Sequence, residues 1–329
     1  MSFPTLRKQF AMGAALALGM AAFGFGAGEA RAQGQQLSIV TGGTGGVYYP
    51  MGGGLANILT KTLPGTQATA EVTGGSVDNL KAIGAGSADV GFSMVDAGTD
   101  AMNGKGKFTA KLPIRTLAVI YPNIMHVVTT EGSGISKVAD MKGKRISTGS
   151  PGSATEVMAV RVIEAAGLDP EKDINRERLG VAESVSAQKD GKIDGFFWVG
   201  GLPTAAVTDL GATPNTKMKL IDHSDLVGKM NEKHGKLYAP AAIPASVYPG
   251  QTAENKATSV WNVLVVNDSM SEKLAYDIVK TVFEKKDDLV AVHKEATNIK
   301  LENQSLINAG IPFHPGALKY FAEKGIKVE

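Results

Sequence analysis

Residues Thr41–Gly54 read TGGTGGVYYPMGGG, seven glycines in fourteen positions, directly after the apolar run Leu37-Ser38-Ile39-Val40. A strand that runs into a glycine loop at a helix start presents bare backbone N–H groups beside the positive end of the helix dipole. That is the chemistry of anion binding. A second stretch of this kind is Gly149–Thr155, and Gly74-Gly75-Ser76 before another helical segment is a third. Each helix terminus contributes about 0.3–1 kcal/mol to holding an exposed anion, and up to about 2 when partly buried. Ordinary glycine turns are the alternative reading of both main loops.

Tyr48 and Tyr49 precede the first helix, where one of the two can wall a cleft and offer a hydroxyl to a carboxylate; the sequence leaves open which. Phe197 and Trp198 end a strand that begins at Ile193, with Gly200 and Gly201 behind them. Trp198 is expected at the cleft, whereas Phe196 and Phe197 read more readily as core. Nucleotide chemistry fits poorly. Tyr48 stands where the third glycine of G-x-G-x-x-G belongs, and no G-x-x-x-x-G-K-[ST] occurs. Neither a G-x-S-x-G elbow nor H-E-x-x-H is present, and no two of the five histidines lie within four residues. The expectation is a binding protein, not an enzyme, with no catalytic residues, metal or cofactor.

Arg7 and Lys8 precede an apolar stretch from Phe10 to Ala27, and Ala30-Arg31-Ala32 follows. This is the pattern of a signal peptide cleaved after Ala32, and it predicts a periplasmic protein; an uncleaved membrane anchor is the alternative reading of the stretch. Removing residues 1–32 takes three basic side chains and one acidic one from 34 and 32, leaving equal numbers. A neutral chain gives no electrostatic case for nucleic acid or an anionic membrane. With no cysteine, disulfides and thiolate chemistry are excluded.

Short apolar strands alternate with amphipathic helical stretches, the pattern of an α/β protein with mostly parallel sheets. Strands are expected over 37–41, 68–72, 90–94, 116–120, 125–130, 145–148, 193–199 and 260–266. Helices are expected over 54–63, 76–85, 153–166, 184–190, 271–286 and 315–324. The chain also echoes itself. Leu37–Gly46 resembles Arg145–Ala154, and GSADVGFSM from Gly86 resembles GKIDGFFWV from Gly191. Two similar lobes are therefore expected, residues 33–127 with 246–329 and residues 128–245, with a ligand between them at the carboxyl ends of the strands.

Together, TGGTGGVYYP, TGGSVDN, ADVGF, GSPGSATE, DGFFWVGGLP and the late HPGA resemble the TAXI family of solute receptors, which serve TRAP transporters. The resemblance covers essentially all of residues 33–329. It implies a two-lobed type II periplasmic-binding-protein (Venus-flytrap) fold. It also implies a monomeric receptor that captures a small carboxylate, such as 2-oxoglutarate, another dicarboxylate or glutamate, and delivers it to integral membrane TRAP subunits. A ligand-sensing module reporting to a membrane signalling partner is the alternative. The ligand residues implied are Thr44, Gly45 and Gly46 with Tyr48 or Tyr49; Ser76 and Asn79; Ser150, Gly152, Ser153 and Thr155; and Phe197, Trp198 and Gly200. No arginine lies in these loops. His314-Pro315-Gly316-Ala317 is explained by a helix start with Pro315 at its first position.

Overall fold

The computed structural model describes residues 34–329; the signal peptide read over 1–32 lies outside them. Strand β1 (Gln35–Val40) leads through the glycine loop into α1 (Tyr48–Thr62), then β2 (Thr66–Glu71), α2 (Ser76–Gly84), β3 (Val90–Met94) and α3 (Val95–Asn103). The long β4 (Ile114–Thr130) is followed by β5 (Arg145–Ser147), α4 (Ala154–Ala165), β6 (Asn175–Glu177), α5 (Val181–Lys189), β7 (Gly195–Gly200) and α6 (Ala205–Gly211). Next come β8 (Met218–Leu220), α7 (Val227–His234), β9 (Ala239–Ile243) and the long β10 (Asn255–Asn267). The chain finishes with α8 (Glu272–Glu284), α9 (Lys286–Val292), α10 (Leu306–Ala309) and α11 (Pro315–Glu323). Among the described residues no helix is long and apolar enough to cross a membrane.

One sheet threads the structure in the order β2-β1-β3-β10-β4-β7-β5-β6, with β8 beside β4 and β9 beside β10. At one end β1 pairs in parallel with β2 and β3; at the other β5 pairs in parallel with β6 and β7. The two long strands join these groups antiparallel to their neighbours. Strand β4 pairs with β10 through Ile114–Ile124 and with β7 from Ile124 to Thr129. Strand β10 pairs with β9 over Asn255–Ser259 and with β3 over Asn262–Val265. Both long strands therefore change partners midway.

The sequence echo has a physical cause. Asp89, before β3, accepts from the Ser38 amide of β1 at 2.8 Å, and Asp194, before β7, accepts from the Arg145 amide of β5 at 2.8 Å. The same aspartate serves the same neighbouring-strand amide in both parallel groups. Central positions such as Leu117, Val119, Val263 and Val265 are wholly buried, each contributing roughly 1.5–3 kcal/mol by leaving water.

Strands predicted separately over 116–120 and 125–130 are a single β4. Pro122 lies inside it, which is tolerated because the ladder with β10 is irregular beside Trp261, the residue opposite Pro122. Helix α1 begins at Tyr48, six residues before its predicted start, because Pro50 sits in the first turn where no N–H is needed. His314 caps α11 by accepting from the Gly316 amide at 3.1 Å, with Pro315 at the first position.

Candidate functional site

The carboxyl ends of β1, β2, β3, β5, β6 and β7 open toward one cavity of about 420 Å3, within the range of small-ligand sites. Its walls are the loops that follow these strands. Helices α1, α4 and α5 start there, and in a first turn the leading N–H groups have no intrahelical partner. The two sides approach closely: a Cβ on Gly45 would lie 3.1 Å from Ala182 and 3.4 Å from Ala206. At Gly46 it would lie 2.8 Å from Trp198 Cη2, so only glycine admits the indole against this loop.

Of the residues expected to bind ligand, Thr44, Gly45, Gly46, Tyr48, Ser76, Ser150, Ser153, Thr155, Trp198 and Gly200 line the cavity. Tyr49, Asn79, Gly152 and Phe197 do not. Tyr49 is exposed, because the helical turn that brings Tyr48 inward carries its neighbour to solvent. Asn79 is wholly buried, its amide donating to Thr41 and Phe92 carbonyls at 2.6 and 2.8 Å, so it ties β1 to β3. Phe197 is a core side chain, since alternate residues of β7 face opposite sides of the sheet.

Gly152 is the most informative departure. Its carbonyl accepts from the Val77 and Asp78 amides at 3.0 and 3.1 Å. The N-terminus of α2, expected as a third anion site, is therefore occupied by backbone from the loop after β5. Gly152 adopts φ 78°, and a Cβ there would collide with the Asp78 carboxylate. Ser150 reinforces this contact, its hydroxyl donating to the Gly74 carbonyl at 3.0 Å.

The side-chain hydroxyls of the second loop are also committed. Ser153 Oγ accepts from the Glu156 amide at 3.0 Å and donates to the Ser150 carbonyl at 2.7 Å. Thr155 Oγ1 accepts from the Val199 amide at 3.4 Å, and Ser76 Oγ from the Met94 amide at 3.1 Å. What this side offers a ligand is chiefly backbone N–H: the Ala154 and Thr155 amides have no partner among the described residues.

Tyr121, Asn123, Thr73, Arg178 and the first turn of α5 also line the cavity and were not expected there. Arg178 and Glu183 are its only charged lining side chains among the described residues. Arg178 Nε lies 3.1 Å from Glu156, a buried carboxylate that also meets Arg176 at 2.8 Å and Lys107 at 3.1 Å. Arg176 also meets Glu171, so Lys107, Arg176 and Arg178 stand against the carboxylates of Glu156, Glu171 and the lining Glu183, and the rim is close to neutral. A signal for Arg178 existed in Arg176-Glu177-Arg178, but only the parallel pairing of the short β6 with β5 brings it to the cavity. Tyr48 and Phe92 rings pack with centroids 5.1 Å apart, and burial pushes the Tyr48 hydroxyl pKa upward, so it stays protonated.

A family model described as NMT1-like matches residues 39–325, nearly everything described above. The chain belongs to the NMT1-like family. Among solved structures, it is similar to a binding-protein component of a phosphonate ABC transporter from Pseudomonas aeruginosa, with TM-score 0.50 and 11% identity over 81% of this chain and 80% of that one. The periplasmic aliphatic sulphonate binding protein of Escherichia coli gives TM-score 0.45 and 16% identity, covering 88% and 83%. The alkanesulfonate-binding protein of Xanthomonas axonopodis pv. citri, bound to MOPS, gives 0.46 and 18%, covering 88% and 84%. The NMT1-like chain thus has the mixed α/β fold of periplasmic solute-binding proteins, with its cavity where the strand ends of both parallel groups meet.

Proposed function

We propose that this NMT1-like protein is a periplasmic solute receptor that captures a small carboxylate in the cavity and delivers it to a membrane transporter. The observation that carries the reading is the wall itself: first turns of α1, α4 and α5, from both parallel groups of the sheet, converge on one space with the Arg178 side chain in its lining. Residues 33–127 with 246–329 form one lobe and residues 128–245 the other. The partner changes within β4 and β10 supply the hinge. A ligand shifts such an equilibrium only by touching both sides, because it must favour the closed arrangement.

The transporter is of the TRAP type, a reading supported by the TAXI-like motifs from TGGTGGVYYP to HPGA. The Pseudomonas aeruginosa structure belongs to an ABC system, but 11% identity carries the fold and not the transporter class.

Titration calorimetry with acetate, succinate, glutarate, 2-oxoglutarate and glutamate tests the ligand class. One of the longer acids should bind, and at 100 times its dissociation constant it should add about 2.7 kcal/mol of stability. In a Trp261→Phe background the emission of Trp198 should change and small-angle scattering should show compaction. A bound acid that moves neither signal would rule out closure. With membrane subunits reconstituted in liposomes, uptake should run on an ion gradient, and a strict need for ATP would overturn the TRAP assignment.

A further inference from the structure

Where β4 passes beneath the cavity, Tyr121 and Asn123 form its floor, beside Tyr48 from α1 and with Asn262 of β10 behind them. The direction of each hydrogen bond here follows from one group that has no choice. The Tyr121 carbonyl can only accept, so the Asn262 amide nitrogen must be the atom facing it, at 3.1 Å. Asn262 Oδ1 is then the acceptor for both the Tyr48 hydroxyl and Asn123 Nδ2, the latter at 2.8 Å. This fixes the orientation of Asn123 as well, and its Oδ1 remains buried with no partner. The Tyr121 hydroxyl, also wholly buried, has none either.

The floor is thus an unusual match problem. Asn123 Oδ1 and the Tyr48 oxygen, whose proton is already given to Asn262, can only accept; the Tyr121 hydroxyl can donate or accept. A carboxylate placed here would meet lone pairs, with the buried carboxylates of Asp96 and Glu295 acting on Tyr48 and Tyr121 near by, a costly arrangement for an anion. A primary amide fits both requirements, an N–H group meeting Asn123 Oδ1 and its carbonyl receiving the Tyr121 proton.

Building on the carboxylate reading above, we infer that the solute is a monoanion: a carboxylate at the helix starts and a neutral hydrogen-bond donor, of the primary-amide kind, on the Tyr121–Asn123 floor. Dicarboxylates, the class implied by the motif resemblance, would then be the weaker ligands.

Pairs of equal length make the test. Succinamate against succinate, and glutaramate against glutarate, differ only in whether the far end is an amide or a carboxylate. Calorimetry on the wild-type protein should show a monoamide binding at least tenfold tighter than its diacid. Tyr121→Phe should cut monoamide affinity at least fivefold while the melting temperature of the free protein stays level or rises, since it removes an unpaired buried hydroxyl. A merely structural role would instead lower that temperature and spare affinity. Diacids binding as tightly as their monoamides would overturn the inference and leave the carboxylate reading standing. If none of the four acids binds at millimolar concentration the inference falls, and the carboxylate reading falls with it only if 2-oxoglutarate and glutamate fail as well.

Discussion

Arg161 of α4 and Asp96 of α3 form a buried ion pair, Nη1 lying 3.6 Å from Oδ2, and they belong to opposite proposed lobes. The Tyr238 hydroxyl accepts from Arg161 at 2.7 Å and donates to Asp96 at 2.8 Å, while Asp100 takes the other guanidinium nitrogen. Burial pushes the Asp96 carboxyl upward and the Arg161 charge pulls it back. Together with Gly152 on the start of α2, this cluster bridges the two sides beside the cavity.

Removing the cation alone should therefore be severe. Arg161→Met leaves two carboxylates facing each other in a dry interface, and breaking a buried pair in this way costs about 3–5 kcal/mol. Urea unfolding should report that loss, with part of it recovered in the double variant Arg161→Met, Asp96→Asn. A single variant within 1 kcal/mol of wild type, roughly the worth of a surface pair, would show that the cluster contributes little.

His126 sets a pH dependence of stability. Its Nδ1 lies 2.9 Å from the Ile124 carbonyl, so that nitrogen carries the proton, and Nε2 accepts from Tyr248 at 2.7 Å. Burial lowers its pKa to about 4. Because the folded value lies below the unfolded one of about 6.5, the contribution is fully present above that pH. It is lost as pH falls toward 4, by about 3 kcal/mol in all. Compared with His126→Gln, the wild type should lose that much more stability between pH 7 and pH 4; parallel losses would refute the assignment.

Gly46→Ala tests the approach of Trp198. The added Cβ would meet the indole at 2.8 and 2.9 Å, and a ring edge cannot turn aside as a flexible chain end can. The tightest acid of the panel above should bind at least tenfold more weakly, with Trp198 emission moving toward that of a wetter indole. Retained affinity would mean the indole contact is not part of the bound state.

Ser153→Ala should act on stability rather than affinity. Its hydroxyl is spent on the Glu156 amide and the Ser150 carbonyl. Loss of an N-cap costs about 1 kcal/mol, and acid affinity should change less than threefold. A tenfold loss of affinity would show instead that this hydroxyl turns to the ligand.

The local pieces were legible in the order of residues alone. Glycine loops after apolar runs marked where strands end and helices begin, and the repeated Asp-(x)-Gly-Phe pattern marked two parallel groups because Asp89 and Asp194 make the same bond. Such features depend on neighbours in the chain, and neighbours are what a sequence lists. Tertiary structure decided which local sites remain free for a solute. The start of α2 looked as open as the others, yet Gly152 occupies it. Tyr121-Pro122-Asn123 looked like a break, yet pairing with β10 carries β4 through it and makes it the cavity floor. Arg178 reaches the rim only because β6 pairs with β5. In each case the deciding partner comes from a distant part of the chain. A donor or acceptor's availability is settled by whichever group reaches it first in the folded state, not by the residues beside it in the chain.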